Sequence, residues 1–314
     1  MTKFISKMLL AAAIICCIMG GLITFDMKIK ESWGPGTVQQ LNTSFDTVVS
    51  NEYDTIILGN SRIYRGINPA MLEDVCNCYN FSHDNDAFNQ CYYKLLYLEE
   101  NGVKFDRLIL GVDYFEFCFK SDTRNYIYDF LLGADYAKDY DNNLVQEYLN
   151  DIDYYFWTIR CPKLTTIITN LRTYPGENSN NLRDNGQYVV EGQHASPDDT
   201  VTRETEMLEL AYDYYVKIIE YCAAHDIEVY LVMPPVRDAE LASYTEEYMA
   251  ASDKMMTDVL DQNGFSADNY MNFRDVPQFK DYTKYIDISH FTPEGADEFT
   301  TYMCEYIKER YSAF

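Results

Sequence analysis

Three short runs, Thr55–Leu58, residues 107–112 and residues 227–233, are apolar almost without a break. A strand with one wet face alternates apolar and polar residues, so unbroken runs of this length require cover on both faces. The stretches around them carry apolar residues at helical spacing. Leu208, Ala211, Tyr215, Ile218 and Cys222 fall on one face of residues 205–224, and Ala296, Phe299, Met303 and Ile307 on one face of the last segment. That last helix is expected to start behind Thr292 as N-cap with Pro293 at its first position. Buried strands alternating with amphipathic helices predict an α/β fold, a mostly parallel sheet with helices on both faces. A chain of 314 residues suits one large domain of this kind or two small ones.

The N-terminus carries a different signal. Lys3 and Lys7 precede an apolar run over residues 8–25, and Asp26 closes it. A helix that spans a bilayer needs roughly 17–25 such residues, whereas the apolar part of a cleaved signal has about 7–15. No small-x-small cleavage pattern follows, and Ile14 and Ile15 stand before Cys16 and Cys17 where a lipoprotein signal places small residues. We therefore expect a cytoplasmic tip over 1–7, an uncleaved transmembrane anchor over 8–25 and a stalk over 26–52 broken at Gly34-Pro35-Gly36. The α/β domain over 53–314 is expected outside the membrane, by the positive-inside rule. Residues 119–204 interrupt the strand–helix rhythm, first with a Tyr- and Asp-rich stretch of helical pattern, then with a loop around Pro175-Gly176. Such an insertion either lies over the carboxyl ends of the strands, where open sheets bind ligands, or packs on the side of the domain.

Composition narrows the function classes. Lys+Arg 25 against Asp+Glu 50 gives a net charge of −25, which repels phosphate backbones and argues against nucleic-acid binding. A hydrophobic content of 47% is enough to bury a core and excludes wholesale disorder. The 29 tyrosines either share core duty with Phe or offer a stacking surface to sugars or partner proteins. Of 9 cysteines, Cys16 and Cys17 fall in the anchor and leave an odd number beyond it. Cys76-Asn77-Cys78 with His83 and Cys91 lacks the spacing of structural zinc sites, so neither a metal nor a cofactor is expected.

Two stretches can carry chemistry. Gly59-Asn60-Ser61-Arg62 follows the first apolar run at once, which puts the Ser61 hydroxyl at the carboxyl edge of the sheet and its N–H at a helix start. Asp287-Ile288-Ser289-His290-Phe291-Thr292-Pro293-Glu294-Gly295-Ala296 forms the mouth of the last helix. A serine needs an adjacent base to act as a nucleophile. His290 can take its proton, and Asp287, in the same turn, can hold the ring and its tautomer. Each stretch alone has a bland reading, a helix cap or a chance Asp-x-x-His; their order and contexts together are the stronger signal.

The pairing of Gly-Asn-Ser-Arg after the first strand with Asp-Ile-Ser-His-Phe-Thr-Pro-Glu-Gly-Ala before the last helix resembles the SGNH/GDSL hydrolase superfamily. The context from Tyr270 to Asp275 and from Tyr285 to His290 is similar to its membrane-anchored branch. That branch includes D-alanyl-lipoteichoic acid transfer proteins and accessory proteins of polysaccharide O-acetylation. The resemblance covers residues 50–118 and 205–314. It implies a three-layer, flavodoxin-like sheet, a Ser61–His290–Asp287 triad, and an extracytoplasmic serine esterase or acyltransferase. The expected substrates are acyl esters of envelope glycan or teichoic-acid-like polymers, with a membrane-bound O-acyltransferase as a possible partner.

Departures from the family pattern fall around the oxyanion site. Asn60 replaces the Asp of the first block and Arg62 a Leu, and residues 79–86 lack the Gly whose N–H would donate. Asn85 is the candidate to rebuild that donor. Asp113 stands where an Asn side chain is expected, and its charge would oppose a developing oxyanion. Arg62 and Arg237 are candidates to supply positive charge, or else ordinary ion-pair partners. The alternative function is thus a catalytically weak or inactive relative that binds glycan or partners an O-acyltransferase.

Overall fold

The computed structural model describes residues 2–32, 37–119, 181–192 and 194–311, with isolated positions at 128, 131, 132, 136 and 314. In chain order these form α1 (Thr2–Ser32), α2 (Thr37–Ser50), β1 (Thr55–Leu58), α3 (Ser61–Gly66), β2 (Cys78–Asn80), α4 (Phe88–Glu100), β3 (Arg107–Gly111) and α5 (Glu209–Ala224). There follow β4 (Glu228–Met233), α6 (Asp238–Leu241), α7 (Glu246–Gln262), β5 (Tyr270–Asn272) and α8 (Pro293–Arg310). The chain divides into two compact units, Met1–Thr43 with Asn125–Asn180 and Ser44–Arg124 with Asn181–Phe314.

The second unit is an α/β domain. Its sheet has the order β2-β1-β3-β4-β5 with every pairing parallel, the order of flavodoxin-like doubly wound sheets. The three apolar runs are β1, β3 and β4; all of β1 and all but the first residue of β3 and of β4 are buried, as strands covered on both faces must be. Ile57, Ile109, Val232 and Met271 join Ile63 from α3, Ile67 just after it, and Ala296, Phe299, Met303 and Ile307 from α8 in one apolar cluster. Ile56, Leu58, Leu108, Leu110, Val229 and Leu231 alternate with them in sequence and are fully buried toward the other face, that of α4 and α5. Tyrosine does core duty here: Tyr79, Tyr114, Tyr214, Tyr215 and Tyr285 are among the largest fully buried side chains.

Strands β2 and β5, of 3 residues each, carried too little pattern to be read from the sequence. The edge strand β2 is covered by residues from the end of the insertion. Asn80 N–H donates to Asn185 O at 3.0 Å, and Leu182 bridges Tyr188. Gly186 makes this approach possible: it sits at φ 89°, and a Cβ there would lie 2.2 Å from Asn80 O. A second close approach positions the site. A Cβ on Gly111 would lie 2.1 Å from Ile63 Cγ1, so the bare backbone of β3 lets α3 settle onto the sheet.

Helix α8 begins as its sequence dictates, with Thr292 Oγ1 accepting from Gly295 N–H at 3.1 Å and Pro293 in the first turn. Of residues 26–52, expected as a stalk, 37–50 form α2, and its Phe45 and Val48 are buried. Phe45 packs edge-on against Phe81 and Tyr97. The Gly34-Pro35-Gly36 break and residues 120–127 and 137–180 of the insertion lie outside the described residues. The run over 8–25 falls within α1, and Phe4, Ile5, Met8, Leu9, Leu10, Ile14, Ile15 and Ile18 are exposed. Among the described residues no helix is long and apolar enough to cross a membrane; the side chains at 22–39 lie outside that description. The described cysteines are all free thiols.

Candidate active site

Ser61 opens α3 directly after β1, the strand from which the sheet extends to β2 on one side and to β3 on the other. The carboxyl edge at such a reversal is where open α/β sheets leave a crevice. Asn60 caps α3, its Oδ1 accepting from Arg62 N–H at 2.9 Å, and this cap orients the first turn that carries Ser61.

The other half of the site is a tight turn before α8. Tyr285 bridges Phe291, Ile286 N–H donates to His290 O at 2.8 Å, and Thr292 N–H donates to Lys284 O at 2.8 Å. Tyr285 and Phe291 stack at 4.6 Å and are buried, which plugs the base of the turn into the core. Asp287 and His290 project from it. His290 Nε2 lies 2.7 Å from Ser61 Oγ, and His290 Nδ1 lies 2.8 Å from Asp287 Oδ2. An ionised carboxylate only accepts, so Nδ1 carries the proton and Nε2 is left to accept from the serine. Asp287 Oδ1 also accepts from Ser289 N–H at 2.8 Å and His290 N–H at 2.9 Å. Partial burial pushes its carboxyl up, but the imidazole and these two N–H groups outweigh it and hold Asp287 well below the usual range. The three residues form one continuous hydrogen-bond chain from serine hydroxyl to carboxylate.

The remaining sequence candidates have other engagements. Arg62 is buried and pairs with Asp113 Oδ2 at 2.6 Å and with Glu240 Oε1. Burial raises Asp113 to about 6, against the pull of Arg62. Asp113 is thus bound by a cation, and Arg62 is not a spare charge for an oxyanion. Arg237 is likewise buried, donating to Asp199 Oδ2 at 2.8 Å, Ser196 O at 2.6 Å and Asp287 O at 3.4 Å. It braces the Asp287–His290 turn from behind. Asn60 uses its Nδ2 on Glu116 Oε2 at 3.3 Å. Asn85 adopts φ 60°, a left-handed conformation that Asn tolerates. The neighbouring Asp84 holds it near α3 through Arg65, at 2.9 and 2.7 Å.

Glu116, Glu240, Ser289 and Arg203 were not singled out in the sequence. Ser289 lay in plain view inside Asp-x-x-His, but the others sit in a three-residue turn, a four-residue helix and an irregular arm with no periodicity. Glu116 is fully buried beneath Asn60, and burial, then Asp113 and Asp86, push its carboxyl well above the usual range. Its Oε1 has no hydrogen-bond partner among the described residues. A group that holds its proton more tightly when folded contributes stability that is complete below its unfolded pKa and is lost as pH rises toward the folded value. Glu116→Gln keeps an acceptor for Asn60 and cannot ionise. It is expected to match the wild type within about 1 kcal/mol near pH 4.5 and to gain on it above that, by up to about 1.4 kcal/mol per pH unit. Urea unfolding between pH 4.5 and 8 measures this, and parallel curves would exclude a protonated Glu116.

Compared with known proteins, the chain matches no family model and no curated protein.

Proposed function

We propose that this protein is a serine esterase or acyltransferase of the SGNH type, tethered to the membrane and acting on acyl esters of an extracytoplasmic envelope polymer. The observation that carries the reading is the unbroken chain from Ser61 Oγ through His290 to Asp287, at the carboxyl edge of a parallel sheet. In this mechanism His290 Nε2 takes the Ser61 proton as Oγ attacks the acyl carbonyl. The imidazolium that forms is stabilised by Asp287 and returns the proton to the leaving alkoxide. The acyl-enzyme then passes its acyl group to water or to a sugar hydroxyl, with His290 again as base. The Ser61 N–H, in the first turn of α3 and without an intrahelical partner, faces the developing oxyanion. Membrane attachment rests on the apolar run over 8–25, the lysines before it and the exposed apolar side chains of α1.

A second reading, a glycan-binding or O-acyltransferase-partnering relative with little activity, is favoured by Asp113. The family places an amide donor there, and this chain places a carboxylate bound to Arg62. Intact-mass labelling of the full-length protein with a fluorophosphonate separates the two. The expected result is one adduct, mapped to Ser61 and absent from Ser61→Ala. An unlabelled wild type beside a labelled control esterase would leave only the binding reading.

A further inference from the structure

We infer that Ser289, clamped by Glu240, Arg62 and Arg203, is the positioning residue that sets the Ser61–His290 distance; this rests on the triad reading above. Arg62 directly follows the nucleophile and Ser289 directly precedes the base. The two are joined, Arg62 Nη2 donating to Ser289 Oγ at 3.2 Å. The same hydroxyl accepts from Arg203 Nη2 at 2.9 Å and donates to Glu240 Oε2 at 3.1 Å. A serine hydroxyl has one donor and two acceptor sites, so all three are in use. On its other side, Ser289 N–H donates to Asp287 Oδ1 at 2.8 Å. One residue therefore links the triad carboxylate to a charged hub.

The hub is rigid for a physical reason. Glu240 is fully buried, and Arg62 and Asp113 nearly so, while Arg203 Nε donates to Glu240 Oε1 at 2.7 Å. Desolvated charges of this kind are costly unless their geometry is kept, so the hub resists displacement. The guanidinium groups of Arg62 and Arg203 also lie over one ring, 5.2 and 5.0 Å from the Phe115 centroid.

Arg203 gives the end of the insertion a part in the site. It lies on the arm over 194–204, which meets the catalytic turn at two further points. His194 N–H donates to Ile286 O at 2.8 Å, and Ser196 O accepts from Arg237, which itself reaches Asp287 O. The arm thus belongs to the scaffold of the turn, and the sequence boundary that assigned it to the insertion cut through a functional unit.

Ser289→Ala and Arg203→Gln are expected to slow fluorophosphonate labelling of Ser61 by about tenfold each, the loss typical of a slight misplacement of reacting groups. Because both act through one hydroxyl, the double variant is expected to be no slower than the worse single. Arg203→Lys, which keeps a donor, is expected to recover part of the rate. A second readout does not depend on activity. The chain has only 4 histidines, so selective ¹⁵N-histidine labelling of the full-length protein, with His290→Ala for assignment, isolates the Nδ1 proton shared with Asp287. That resonance is expected to broaden or exchange faster in both variants, and in Ser289→Ala, which removes no charge from the hub, thermal unfolding is expected to stay near wild type. An unlabelled wild type with this response would refute the catalytic reading and keep the positioning role. An unchanged resonance, or labelling losses that simply multiply in the double variant, would overturn the positioning role.

Discussion

Ser61→Ala and His290→Ala are each expected to lower ester hydrolysis by at least about 10³-fold, and the double variant to be no worse than either single. A serine hydroxyl is a weak nucleophile until a base takes its proton, so losing the base and losing the hydroxyl close the same route. The geometry for that transfer is already present, with Nε2 at 2.7 Å from Oγ and the tautomer fixed by Asp287. Asp287→Asn is expected to cost less than His290→Ala, because the imidazole still stands beside Ser61. The Asp287 side chain is also 44% exposed, so water can partly replace its stabilisation of the imidazolium. The measurement is kcat/KM of the full-length chain on a small activated acetate ester. A His290→Ala variant within tenfold of wild type would remove His290 from the mechanism.

Lys94→Met is expected to destabilise the protein by about 3–5 kcal/mol, the cost of removing one partner from a buried ion pair. Lys94 is fully buried on α4. Its ammonium contacts Phe81 O at 2.6 Å, His83 Nδ1 at 2.6 Å and Asp86 Oδ2 at 2.5 Å. Asp86 is also fully buried; burial pushes its carboxyl up, but Lys94 and then His83 outweigh that and hold it at about 2. Without the lysine, Asp86 must either keep a buried charge stripped of its ammonium partner or take up a proton at neutral pH. For a chain of this size, thermal unfolding should drop by about 2–4 °C per kcal/mol. The pH dependence supplies a second check. A depressed carboxyl contributes stability that is present above its unfolded value near 4 and is lost as pH falls through the folded value. The gap between wild type and variant should therefore narrow between about pH 4 and pH 2, and a gap that stays constant would refute the assignment. The cluster lies behind the turn that carries Asn85, so the same variant tests whether this turn depends on the buried lysine for its shape.

How much was legible in the sequence follows from the range of each interaction. The strands β1, β3 and β4, the cap of α8, and the placing of Ser61 and of the Asp287–His290 turn are set by residues close in the chain. Continuous apolar runs, a Thr-Pro start and an Asp-x-x-His spacing are local signals, and local signals survive without coordinates. Strands β2 and β5 were not legible, because three residues have no period and take their conformation from neighbours already in the sheet.

The fate of the charges was decided only by the tertiary structure. Arg62, Arg237 and Asp113 look alike in a sequence whether they face a substrate or one another. A charged side chain is fixed by whichever opposite charge distant segments bring within a few ångströms, and burial then makes that partnership exclusive. Asp113, Glu240 and Ser289 claim Arg62 from positions far along the chain, and the arm over 194–204 reaches the Asp287–His290 turn only because the fold returns it there. The sequence by itself determined which residues were candidates to react. The packing of remote segments around them determined which charges stay available to do so.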